Sequence, residues 1–141
     1  MKQHILLFIL LVHSSSVLGG SDIASAVSNA VIGSHYSAII THTDVAEQLD
    51  NGDYYHIYDG DVLETIRGEQ KEKIRYVMSV EEGEELYLDS APMLITLCSH
   101  KGELYWPGTG SAFPATKALL DIAKLSAKGA ENKAGNLSLC E

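Results

Sequence analysis

The stretch Asp53–Val80, DYYHIYDGDVLETIRGEQKEKIRYVMSV, decides between two folds. With a helical period, Asp61 to Met78 makes one amphipathic helix, its apolar face built from Val62, Leu63, Ile66, Ile74, Val77 and Met78. With a period of two it breaks into strands. Tyr54 to Tyr58 is rich in strand formers, Asp59-Gly60 suits a tight hairpin turn, and Val62 to Arg67 returns. Gly68 to Glu72 is polar enough for a loop. Lys73 to Val80 then alternates, with Ile74, Tyr76, Met78 and Val80 on one side and Arg75, Val77 and Ser79 on the other. Gly68 weakens a helix at its middle and the β-branched residues favour a pleated surface, so strands are expected.

Upstream, Tyr36 to Thr41 (YSAIIT) is a short β-branched strand and Ser21 to Ile32 (SDIASAVSNAVI) has helical spacing, capped by Ser21 or Asp22 and ended by Gly33. Asp44 to Leu49 reads as a short helix, with Asp44 and Glu47 in capping-box spacing and Asn51-Gly52 as its stop. Downstream, Glu81 to Glu85 (EEGEE) is a solvated turn. Leu86 to Leu88, Pro92 to Cys98 and Glu103 to Trp106 extend the strand series, with Ser99 to Gly102 joining the last two. Pro107 to Gly110 ends the sheet. Ser111 to Lys128 is the clearest helix, with Ser111 as cap, Pro114 in the first turn and Gly129 as its end. The sum is an α+β fold: an antiparallel sheet of about five to seven short strands packed by an N-terminal and a C-terminal helix.

The first 19 residues have the parts of a secretory signal: Lys2, the apolar run Ile5–Val12, and small residues around Gly19 where cleavage is expected. That run is shorter than the roughly 20 apolar residues a spanning helix needs. Residues 20–141 then form a single globular domain, exported to a periplasm or beyond, with no membrane insertion after cleavage. Export implies an oxidising compartment, so Cys98 and Cys140 are expected to pair and to tether the polar C-terminal tail. Asn136-Leu137-Ser138 is a glycosylation acceptor pattern in a eukaryotic secretory route.

The chain carries a net charge of −9, and Asp44 to Asp89 holds 14 acids against 4 bases. Such a balance argues against nucleic acid, whose binding rests on neutralising phosphates, and suits a basic protein partner. No phosphate loop, HExxH or Gly-x-Ser-x-Gly motif occurs, so neither a cofactor nor a catalytic set is assigned. Cys98 and His100 share a strand face and would suit a thiol enzyme, but only with a free thiol. His35, His42, His56 and His100, with Asp44, match no metal-ligand spacing, and no metal is expected. The tyrosines Tyr54, Tyr55 and Tyr58 suit sheet packing, whereas Trp106, beside Pro107 and Gly108, is expected at the surface.

The function expected is that of a small exported binding protein, of inhibitor or immunity type, docking a basic partner through Glu81, Glu82, Glu84, Glu85, Tyr87 and Trp106. The alternatives are a small exported enzyme using Cys98 and His100, or a structural component of a cell-surface apparatus.

Overall fold

A computed structural model describes residues 19–131 and 139–140. The expected signal segment up to residue 18 and the Asn136 acceptor pattern lie outside the described residues. The fold is α+β, with two helices and a six-stranded sheet among the described residues. The elements are α1 (Gly19–Gly33), β1 (Tyr36–Asp50), β2 (Asp53–Arg67), β3 (Lys73–Val80), β4 (Met93–His100), β5 (Glu103–Tyr105), β6 (Ala112–Pro114) and α2 (Lys117–Ala130). Among the described residues, no helix is long and apolar enough to cross a membrane.

Two strands are long rather than short. β1 and β2 form a hairpin of 15 residues per strand. Its turn is Asn51-Gly52, at φ 51° and 92°; a two-residue primed turn needs positive φ at both positions, and its twist matches that of the strands. The expected helix Asp44–Leu49 is therefore strand, because Val45 pairs with Tyr58 and packs against the core. The expected turn at Asp59-Gly60 lies mid-strand instead. Gly60 opposes His42 beside a register shift, and a Cβ there would meet the Thr41 carbonyl oxygen at 3.0 Å. Glycine serves here to let two backbones approach.

The strands close on themselves. β1 pairs with β2 along one edge and with β4 along the other, and the ring continues through β5 and β3 back to β2. All these pairings are antiparallel except β3 with β5, which is parallel over Tyr76↔Leu104 and Val77↔Tyr105. This is the strand order of a small five-stranded Greek-key barrel of OB type, and closure removes most exposed edges. β6 adds to the outer edge of β4. Leu86–Leu88 is not strand; the segment from Glu81 to Pro92 is a long connection across the barrel.

Period-two alternation divides the apolar residues between two cores. Tyr36, Ala38, Ile40, Tyr58, Ile74, Tyr76, Ile95 and Leu97 fill the barrel. The outward faces of Leu94 and Phe113 pack with Val27, Ala30 and Val31 of α1 and Leu119, Ala123 and Ala127 of α2. α2 starts later than its apolar pattern suggests. Ala112–Pro114 is drawn into β6, and Thr116 becomes the cap, its hydroxyl accepting from the Leu119 N–H. Arg67, at the end of β2, closes α1: its Nη1 donates to the carbonyls of Val31, Ile32 and Ser34 at 2.7, 2.6 and 2.6 Å. A cation at a helix C-terminus satisfies orphan carbonyls and opposes the dipole.

Cys98 and Cys140 are joined in a disulfide, their Cα atoms 5.3 Å apart, as the sequence led us to expect.

Candidate functional site: an acidic segment over an aromatic barrel mouth

One end of the barrel interior is lined by rings. The register His42↔Gly60 and Tyr58↔Tyr76 brings together residues from three strands on the inward face. Tyr58 and Tyr76 stack at 5.2 Å between centroids, with planes 11° apart. His42 lies 5.1 Å from the Tyr58 ring and 5.8 Å from that of Tyr76.

The protons of His42 are fixed by its partners. Nδ1 lies 3.3 Å from the carbonyl oxygen of Asp89, which can only accept, so Nδ1 carries the hydrogen. Nε2 is then the acceptor, and the Tyr76 hydroxyl, 2.7 Å away, donates to it. Burial disfavours the charged imidazole and pulls the His42 pKa down, against the smaller upward pull of the Asp89 carbonyl and carboxylate. Burial likewise pushes the Tyr76 phenol far above its usual range.

The Glu81–Pro92 segment crosses this mouth and is tied to it. Tyr58 donates to the Tyr87 carbonyl at 3.2 Å, and Tyr54 donates to the Glu82 carboxylate at 3.2 Å. That carboxylate raises the Tyr54 pKa, and the charge of Glu84 adds to the effect of burial on Tyr58. The tight turn in the segment closes on itself through the Glu84 N–H to the Glu81 carbonyl, with Gly83 at φ 81°. Beneath the segment lies a cavity of about 180 Å³ lined by His42, Tyr58, Tyr76, Tyr87, Met93 and Trp106 among others.

The residues expected at a partner-binding site thus occupy one end of the molecule. Glu81, Glu82, Glu84, Glu85 and Tyr87 are all exposed, and among the described residues none of the four glutamates has an ion-pair partner. Leu86, Tyr87 and Leu88 are 48, 71 and 44% exposed, an apolar strip beside the acids. Trp106 is half-buried rather than at the surface: it lines the cavity and packs on the barrel core. The His42–Tyr58–Tyr76 constellation was not assigned from sequence. Alternation placed Tyr76 on an inward face, but its meeting with His42 depends on a strand register that a misplaced turn conceals.

The other candidates separate. Cys98 is fully buried and disulfide-bonded, so it presents no thiolate, and the histidine within 4.8 Å of the bridge is His35 rather than His100. His35 Nδ1 accepts from the Ser99 N–H at 2.9 Å. His42 is engaged as described, and the Asp44 carboxylate accepts from the Val45 N–H at 2.9 Å. No family model and no curated protein sequence matches the chain.

Proposed function

We propose that the protein is an exported binding module that docks a basic partner protein through the Glu81–Leu88 segment, with the aromatic barrel mouth as its rigid support. The observation that carries this reading is the union, in one exposed segment, of four carboxylates without ion-pair partners and three exposed apolar side chains. Exposed charge steers a partner of opposite sign, and adjacent apolar area holds it once docked. An exposed tyrosine such as Tyr87 supplies contact area at small entropic cost. The Cys98–Cys140 bridge supports an oxidising destination.

The test is a comparison of the wild-type protein with a variant carrying Glu81, Glu82, Glu84 and Glu85 as lysine, each immobilised and exposed to cell-surface and extracellular proteins. The wild type should retain basic proteins that the variant does not, and retention should fall as salt rises from about 50 to about 300 mM. Retention that ignores both the reversal and the salt would sink the proposal.

A further inference from the structure

The cavity beneath the Glu81–Pro92 segment has walls of one chemical kind. Tyr58, Tyr76, Tyr87 and Trp106 supply four aromatic rings, and Met78 and Met93 add two polarisable thioethers. Tyr58 and Tyr76 are buried, Trp106 is half-buried and Tyr87 is exposed, so the rings run from the barrel interior to the surface. At about 180 Å³ the space is smaller than the ~300–1,000 Å³ of sites for drug-sized molecules, so it takes a compact group.

Charge and hydrogen bonding together select that group. No lysine or arginine lines the cavity among the described residues, and His42 is held neutral between the Tyr76 hydroxyl and the Asp89 carbonyl. Negative charge surrounds the rings instead. Asp89 is part of the wall and its carboxylate acts on His42, while the Glu84 carboxylate acts on the Tyr58 phenol. Aromatic faces are themselves negative and attract cations. The donors of the wall are already engaged, since Tyr76 donates to His42, Tyr58 to the Tyr87 carbonyl and His42 to the Asp89 carbonyl. A ligand carrying several N–H or O–H groups would give up water here for few acceptors, and unmet buried donors weaken binding. A cation without N–H groups, its charge sheathed in methyl groups, meets every condition. From the meeting of four rings and an acidic wall we propose that the cavity is an aromatic cage for the quaternary ammonium group of a choline-like molecule, with Asp89 as its counter-charge.

Trp106 is the single tryptophan of the chain, so its fluorescence reports on the cavity directly. Choline and tetramethylammonium, titrated into the disulfide-bonded protein at constant ionic strength, should change that emission saturably, with heat of binding to match by calorimetry. Ethanolamine keeps the charge but carries N–H groups, and dimethylbutanol keeps the shape of choline without its charge; each should bind about tenfold more weakly or worse. Tyr87→Leu and Asp89→Asn are at exposed positions and keep the fold, the first retaining the carbonyl that Tyr58 bonds and the second an oxygen for the Ala91 N–H. Each should weaken choline binding about fivefold or more. Vesicles of phosphatidylcholine identify the source of the group: choline-reversible co-sedimentation assigns it to a lipid headgroup, and its absence to a free solute. No protein partner enters the assay, so a failure here bears on the cavity and leaves the docking of a basic protein to its own test. The cage is refuted if choline and tetramethylammonium leave both emission and heat unchanged, if ethanolamine or dimethylbutanol binds as tightly as choline, or if both variants bind choline as the wild type does.

Discussion

The hydroxyl of Tyr76 donates to Nε2 of His42 across 2.7 Å inside the barrel mouth, so this imidazole is held neutral with both nitrogens engaged. The Asp89 carbonyl on its other side belongs to the segment that covers the mouth. One side chain therefore joins the barrel wall to its cover.

Stability should fall as the solution is acidified through the histidine range, and His42 should account for part of the fall. Its folded pKa lies below the ordinary value of 6.5, so at mildly acidic pH the unfolded chain binds a proton that the native protein refuses. The contribution is complete above about pH 6.5 and is lost as pH drops below that value. Urea midpoints at pH 7 and pH 5 should differ less for His42→Asn than for the wild type. An unchanged difference would assign the effect to other groups. Tyr76→Phe should cost about 1–3 kcal/mol at neutral pH, by leaving Nε2 buried without a donor.

Arg67 and Gly68 act together at the junction of α1 and β1. Arg67→Leu removes a charged donor from three carbonyls and should cost about 2–3 kcal/mol, with Arg67→Lys recovering part of it. Gly68, at φ 95°, faces the same junction, where an added Cβ would lie 2.9 Å from the His35 carbonyl oxygen. Gly68→Ala should cost about 1–3 kcal/mol through conformational strain alone, and more through the clash. Urea unfolding of the three variants checks both values, and midpoints equal to the wild type's would refute the clamp.

Removing the disulfide with Cys98→Ser and Cys140→Ser together should destabilise the domain by up to about 4 kcal/mol, the loop-closure entropy for a separation of 42 residues. Thermal melting with and without a thiol reductant should reproduce the shift in the wild type and show none in the double variant. A reductant that leaves the wild-type melting curve in place would mean that the bridge constrains little.

The sequence and the structure agree where order is local. β3 alternates over Lys73–Val80 as expected, and α1 buries Val27, Ala30 and Val31 of its apolar spacing, whereas α2 buries Leu119, Ala123, Ala127 and Ala130 and leaves Leu125, expected on its apolar face, exposed. They part at Asp44–Leu49, where a capping-box pattern competes with cross-strand pairing. Pairing wins because Val45 gains Tyr58 as neighbour and a place on the barrel core. Asp59-Gly60 and Asn51-Gly52 are both good turn pairs, and composition alone cannot rank them. The tight approach of Thr41 to Gly60 shows what the second glycine is for. The exposure of Glu81, Glu82, Glu84, Glu85 and Tyr87 was legible because they are contiguous and mostly charged. The aromatic mouth was not, because it draws on several strands.

Closure of the barrel also shapes how the chain reaches its native state. The β1–β2 hairpin joins neighbours in sequence through a two-residue turn, whereas β1 and β4 must bring Tyr36 to Leu97 and Ile40 to Met93 across the whole intervening chain. Ring closure carries the larger loop entropy, and little native contact rewards it until β4 has docked. Until then β1 offers an unpaired edge, rich in Ile and Ala, to any other chain nearby. Before closure, the facing edges of β1 and β4 are thus both open to intermolecular pairing.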